Sequence, residues 1–316
     1  MRRLPLQIGC LALRAGVLYV GRHVRRAHVR LFDLDGHPLA GGFSVGDGST
    51  AVAASGLAVD EDRRVWLADP LNGVVRGFNV FGREGLRFGP EDPAAHLEPL
   101  RQPDVVRAIG RPLAVAAEGS ADDLRLAIGS DGDRRHALQV FGPDGHLIRS
   151  LRPRGESHGR FQGVSSVDVS GRWIAACEPR AGRVQVFRDL DHHFTFEVQC
   201  AGRRAEPRAI ALLPDGGTLV ACSGELNAVL RFDGAGRLVG ELVAGGESEG
   251  EVLEPSDLVV EAGREELRTR VAVIDQSGDR LQIFSLSGTY FGSVDGLLED
   301  PVERSGLDDE SRGGAP

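Results

Sequence analysis

The chain has 316 residues, 41% of them hydrophobic and 26% charged, with a formal net charge of -9. No apolar stretch approaches the roughly 20 residues that cross a bilayer, which excludes a spanning helix and points to a soluble protein. The acidic balance opposes long-range attraction to nucleic acid or an anionic membrane, and the use of arginine for all 37 basic residues fits a GC-rich bacterial genome.

Taken in chain order, the first ten residues superficially suggest an export signal. Pro5 and Gln7 break the apolar run before Cys10, and Arg14 follows closely, so a cytoplasmic location is the expectation. Cys10, Cys177, Cys200 and Cys222 lie far apart with no CxxC pair, the pattern of buried free thiols.

From Leu11 onward a repeat appears. Phenylalanine recurs at Phe32, Phe78, Phe141, Phe187, Phe232 and Phe284, at intervals of 46, 63, 46, 45 and 52 residues, and five of the six have a glycine four residues later. Each Phe ends a short alternating segment such as Arg183-Val-Gln-Val-Phe187, followed by a turn such as Gly142-Pro-Asp-Gly145. Alternation marks an antiparallel strand, and the turn glycine suits a positive φ. The fourth turn, Arg188-Asp-Leu-Asp191, lacks the glycine, although Asp tolerates a left-handed backbone better than most residues.

Two further strands precede each Phe, as in Gly56-Leu-Ala-Val-Asp60 then Val65-Trp-Leu-Ala-Asp69, and one follows each turn, as in Leu147-Ile-Arg-Ser-Leu151. Four strands on a period in the forties predict an all-β, six-bladed β-propeller of four-stranded antiparallel blades. The blades fall at about 4–43, 52–89, 111–151, 161–199, 206–243 and 254–295, within one domain, 1–296. The long second interval holds the Pro90–Arg111 loop and a short insertion at 130–135 instead of a seventh blade. Tyr290 to Val294 supplies the sixth blade's outer strand, so closure is expected within that blade, and 297–316 reads as an acidic, disordered tail.

The text Asp275-Gln-Ser-Gly-Asp-Arg-Leu-Gln-Ile-Phe284, with its echo Glu178-Pro-Arg-Ala-Gly-Arg-Val-Gln-Val-Phe187, resembles the NHL repeat: an Asp closing one strand, a turn, then an Arg-hydrophobic-Gln-x-Phe strand. The aspartate survives as Asp69 and Asp275, becomes Glu178 and Ser223 elsewhere, and is His23 in the first repeat. The resemblance, which spans 4–295, implies a six-bladed propeller that serves as a binding platform for protein or RNA.

Loops joining second to third strands, and blade to blade, share one face of a propeller. That face should carry Arg22, Arg25, Arg26, Arg134, Arg135, Arg180 and Arg208, with Arg152, Arg154, Arg160, Arg203 and Arg204 beside them, a surface suited to bidentate capture of a carboxylate, phosphate or acidic protein. Asp131, Asp133, Glu156, Glu178 and Glu206 share those loops and can neutralise the arginines pairwise. His192 and His193 should lie on the opposite side, and adjacent strand residues point apart, so they make a poor metal pair. The Glu247, Glu249, Glu251 and Glu254 loop lacks a calcium-loop pattern.

Enzymes built on six blades, calcium-dependent lactonases and zinc-dependent lyases, gather carboxylates or histidines at the channel. Here the inner strands offer Asp168, Arg208, Asp257 and Asp60, with no nucleophile and paired base. The expectation is a non-catalytic scaffold with a protein partner and no cofactor. The alternative is a metal-dependent hydrolase, lactonase or lyase taking a small molecule at the channel mouth. RNA binding ranks third, since Trp66, Trp173, Tyr19 and Tyr290 leave few aromatics for base stacking.

Overall fold

The structure is a computed structural model. It describes residues 9–24, 26–46, 51–89, 109–131, 137–143, 145–151, 161–261, 268–277 and 279–295, the side chains at 23, 24 and 26 excepted. Six four-stranded antiparallel sheets run from inner to outer strand in sequence order. Blade 1 is β1 (Gly9–Arg14), β2 (Val17–Val24), β3 (Arg26–Phe32) and β4 (Pro38–Ser44). Blade 2 is β5 (Gly56–Val59), β6 (Val65–Asp69), β7 (Val74–Phe78) and β8 (Glu84–Phe88). Blade 3 is β9 (Arg111–Glu118), β10 (Arg125–Asp131), β11 (Leu138–Phe141) and β12 (Leu147–Ser150). Blade 4 is β13 (Ser166–Ser170), β14 (Trp173–Glu178), β15 (Arg183–Arg188) and β16 (Asp191–Glu197). A small hairpin, β17 (Gln199–Cys200) and β18 (Arg203–Arg204), leads to blade 5: β19 (Glu206–Leu212), β20 (Thr218–Ser223), β21 (Ala228–Phe232) and β22 (Leu238–Val243). Blade 6 is β23 (Pro255–Glu261), β24 (Arg270–Asp275), β25 (Arg280–Ser285) and β26 (Tyr290–Asp295).

The inner strands pack in a closed circle, with β1 against both β5 and β23. Blade 6 therefore takes all four strands from one stretch of chain, and among the described residues no strand is shared across the junction with blade 1. Among the described residues no helix is long and apolar enough to cross a membrane.

The core is a series of layers between adjacent blades. Each of the six phenylalanines is at most 2% exposed and packs toward the preceding blade: Phe32 joins Ile274 and Ile283 of blade 6, and Phe232 joins Val184 and Phe196 of blade 4. The glycine four residues on serves the same junction. At Gly36, Gly82, Gly145, Gly236 and Gly288, φ lies between 72° and 85°. A Cβ at Gly82 would stand 2.5 Å from Phe43 of blade 1, and one at Gly236 would stand 2.8 Å from Phe196 of blade 4. The Phe-x-x-x-Gly spacing thus encodes a left-handed turn and a close approach to the preceding outer strand. In blade 4 Asp189 and Leu190, at φ 51° and 65°, replace it with a tighter turn, in keeping with the mirror-image turns favoured in hairpins.

Trp66 is fully buried. Its ring underlies Gly77, where a Cβ would come within 2.6 Å, and its Nε1 donates to Asp60 Oδ2 at 3.0 Å. Trp173 is only half-buried, edge-on to His193 at 5.2 Å and beneath Arg188.

Candidate functional site

The carboxylates that close the second strands explain the recurring Asp-turn-Arg text. Asp275 accepts N–H bonds from Leu253 (3.2 Å) and Glu254 (2.9 Å) of the incoming loop and from Arg280 Nε (3.2 Å). Glu178 likewise takes Gln162 N (2.8 Å), Arg183 Nε (2.8 Å) and Gln185 Nε2. Asp69 takes Ala53 N, Asn72 N and Arg76 Nε. All three carboxylates have zero exposure. Charge burial is tolerated there because an arginine and several N–H donors satisfy each one. Gln282 extends the device: its Nε2 donates to Glu251 O and its Oε1 accepts Gly250 N, fixing the loop that leads into blade 6.

Those anchored loops form one face. Arg180 reaches back from blade 4 to Asp131 Oδ1 of blade 3 (2.9 Å) and to Gln162 O (2.9 Å). Arg208 donates to Ser223 Oγ (2.6 Å) and to Glu206 Oε2 (2.8 Å). Arg22 is 3% exposed and sits against blade 6, beside Asp275 and Arg280. Arg25, Arg134, Arg135, Arg152, Arg154, Arg160 and the side chain of Arg26 lie outside the described residues. Of the others, then, Arg180 and Arg208 are engaged by carboxylates and Arg22 is in the junction. Among the described residues this face also carries the exposed Arg203 and Arg204, in the β17–β18 hairpin, where Arg204 donates to Ala181 O. One junction further round, the exposed Glu247, Glu249 and Glu254 face solvent from a loop closed by the Gly245–Val252 bridge. Among the described residues this face thus carries an exposed basic pair and an exposed acidic cluster at adjacent blade junctions.

His192 and His193 lie at the other end. His192 Nε2 is 2.9 Å from Thr195 Oγ1, its ring edge-on to Phe187, and His193 packs against Trp173 and Phe194.

The axis is a cavity of about 150 Å³, lined by Leu, Ala, Val and Ile of the inner strands with Ser55, Ser165, Ser166, Asp168 and Asp257. Ligand pockets usually run roughly 300–1,000 Å³, so this bore admits only a small fragment. Of the four polar inner-strand candidates, Asp168 and Asp257 face it. Asp60 turns away to bind Arg64 and Trp66, and Arg208 turns to Ser223 and Glu206. Asp168 Oδ2 accepts Leu212 N of blade 5 (2.7 Å), and its Oδ1 accepts Val169 N (2.8 Å). Asp257 Oδ2 accepts Leu11 N of blade 1 (2.7 Å), and its Oδ1 accepts Leu258 N (2.9 Å). Each aspartate staples its inner strand to that of the next blade. Ser166 Oγ does the same for Ile210 N, and Ser165 Oγ bonds Arg208 O. Glu118 to Gly171 N and Glu261 to Gly16 N repeat the scheme at the hairpin turns. The serines escaped the sequence reading because turn lengths shift them relative to each Phe.

Burial pushes Asp168 up to about 6, opposed by the Leu212 and Val169 N–H groups and reinforced by Glu118. Burial pushes Asp257 up to about 7, opposed by Leu11 and Leu258 N–H and reinforced by Asp168. Both carboxyls keep some surface on the bore, but a channel this narrow solvates a charge poorly. Asp168 is the other carboxyl on the bore, while the Cys10 and Cys177 thiols, buried between blades, are pushed up by burial first and then by neighbouring charges. A carboxyl whose folded pKa exceeds its unfolded one favours the folded state at low pH, and that contribution is lost as pH rises through the folded value. Stability should therefore fall between about pH 4 and pH 7 on account of this pair. Asp257→Asn keeps an acceptor for Leu11 N and removes the charge. Its stability relative to the unsubstituted chain should improve between pH 5 and pH 8 by on the order of 2 kcal/mol. Urea unfolding at both pH values would show a constant difference if the carboxyl ionised freely.

Asp33, Asp35 and His37 bring three ligand atoms within 4.8 Å of one another. Asp33 Oδ1 accepts Asp35 N and His37 N, the arrangement Asp233 makes with Ala235 N and Arg237 N. An arginine replaces the histidine in the second case, so the motif is a hairpin cap and carries no metal requirement.

Geometry and topology together define the class: a six-bladed, all-β propeller of four-stranded blades. No family model matches the chain, and no curated protein does. Among solved structures, a chain of the nidogen/laminin complex superposes with a TM-score of 0.59 at 13% identity, covering 89% of this chain and 94% of that one. A streptogramin B lyase gives 0.56 at 12% identity, covering 92% and 84%. Virginiamycin B lyase from Staphylococcus aureus gives 0.54 at 12%, covering 93% and 87%. These likenesses establish the fold, which is shared by proteins of unlike function.

Proposed function

We propose that this chain is a non-catalytic interaction scaffold, of the kind built from NHL-type repeats, that presents its loop face to a protein partner. The observation that carries the reading is the combination of a basic pair, Arg203 and Arg204, on a hairpin held by Val198 N to Gly182 O and Ala205 N to Val198 O, with an acidic cluster, Glu247, Glu249 and Glu254, on a loop held by Asp275 and Gln282. Rigid, exposed charges of both signs select a partner by complementarity and set its orientation. The similarity to a propeller chain found in a protein complex is in keeping with this use of the fold. Of the arginines expected on this face, Arg25, Arg26, Arg134 and Arg135 would extend the basic pair, whereas Arg180 and Arg208 are neutralised by Asp131 and Glu206 and Arg22 is buried in the junction. Double reversal, Arg203→Glu with Arg204→Glu, should leave stability within about 0.5 kcal/mol, as for surface changes generally. It should abolish a subset of the partners captured by the unsubstituted chain from its native lysate, as read by mass spectrometry. Identical partner sets from both proteins, with equal thermal stability, would remove this face from consideration.

A second reading, a hydrolase or lyase at the channel mouth, is favoured by one observation: two carboxyls with raised pKa face the same bore. Stoichiometric calcium or zinc in the purified protein, lost in Asp168→Asn, would favour it over the scaffold.

A further inference from the structure

Blade 1 differs from its five neighbours in how its outer strand is laid down. In blades 2 to 6 the third and fourth strands slip by one residue beside the conserved Phe, at Gly85, Ile148, His193, Val239 and Phe291. In blade 1 that position is regular. The slip lies further along: Val29 pairs with Phe43 but Leu31 with Leu39, leaving Ala40, Gly41 and Gly42 opposite the single residue Arg30. Gly41 has φ 105°. A Cβ at Gly42 would stand 2.7 Å from Val29 O and 3.4 Å from the Arg30 Cα. The bulge accordingly requires glycine, and it opens a cleft of about 220 Å³, larger than the axial cavity.

The lining of this cleft is uniformly basic or neutral. Arg22, His28 and Arg30 contribute to it together with Ser44 and Phe43, and among the described residues no carboxylate lines it. His28 Nδ1 is 3.0 Å from Ser44 Oγ. Arg30 lies over the Phe32 ring at 5.1 Å, a contact that holds the guanidinium while leaving its donor edge available. Arg22, nearly fully buried, also walls a gap of about 10 Å³ shared with Asp275 and Asp279, so its charge is partly balanced from that side. In a chain of net charge -9, a recess lined by three basic side chains and a hydroxyl, with room for roughly seven waters at ~30 Å³ each, is matched to a multivalent anion. Guanidinium forks favour planar or tetrahedral oxyanions, and a phosphate group offers three strong acceptors.

We propose that the blade 1 cleft is a binding site for a phosphate-class oxyanion, taken either as the free ion or as a monoester. The site uses none of the exposed charges of the loop-face reading, so the two can fail separately. The test is titration calorimetry of the full chain with inorganic phosphate and, separately, with O-phosphoserine, against chloride at matched ionic strength. Saturable binding is expected at millimolar concentration or below, weakened about tenfold or more in Arg30→Gln and partly retained in Arg30→Lys, which keeps charge but loses the fork. Tighter binding of phosphoserine would assign the monoester, and tighter binding of inorganic phosphate the free ion. A response equal to that of chloride, or unchanged affinity in a folded Arg30→Gln protein, would overturn the proposal. Partner capture by the Arg203 and Arg204 variant is unaffected by either result.

Discussion

Glu178→Ala is expected to destabilise the fold by about 3–5 kcal/mol, the cost of removing one partner from a buried, hydrogen-bonded charge pair. The carboxylate has zero exposure, and it holds Gln162 N of the incoming loop, Arg183 Nε and Gln185 Nε2 together. Alanine strands the Arg183 guanidinium at a site where its side chain is only 14% exposed. It also releases the segment that leads into β13. Glu178→Gln, which keeps an oxygen for Gln162 N but removes the counter-charge, should fall between the two. Urea unfolding followed by tryptophan fluorescence is a suitable readout, since Trp173 begins the same strand. A loss below about 1 kcal/mol would place this pair in the class of exposed, weakly contributing ones.

The second large effect is expected at Phe187→Ala. The ring is fully buried, stacked on Phe161 at 6.2 Å and edge-on to His192 at 5.6 Å, within the layer that joins blades 3 and 4. Deleting it removes its transfer free energy and leaves a cavity between two sheets that cannot readily collapse, for a cost of about 3–5 kcal/mol. Phe81→Ala is the matched control: its ring is 81% exposed at a hairpin tip, and its truncation should be nearly neutral. Equal effects at the two positions would mean that the inter-blade layers are loosely packed.

The architecture was legible from the text because packing against the preceding blade imposes the same residue at the same register six times. Phe32, Phe78, Phe141, Phe187, Phe232 and Phe284 could be found by eye, and so could the glycines that let each turn approach its neighbour. The Asp275 and Glu178 pairs were legible as a motif, but their role became clear only when the loop N–H groups they hold were seen. The functional surface was less accessible for a physical reason. A sequence assigns Arg180 and Arg208 to a face, but Arg180 is neutralised by Asp131 of the neighbouring blade, 49 residues away, while only Arg208 has its partner, Glu206, close by on the same strand. Which arginines remain exposed is settled by tertiary pairing. The cleft of blade 1 was hidden similarly, since Gly41-Gly42 reads as an ordinary turn signal until the register of β4 is known.

Because each blade is one unbroken length of chain and neighbours are joined by side-chain packing and by carboxyl or hydroxyl staples, a blade is also a unit of heredity. Duplicating or deleting one such segment of a gene would leave every sheet intact. Only the bonds at a junction, such as Asp257 to Leu11 N and Glu261 to Gly16 N, would have to be remade.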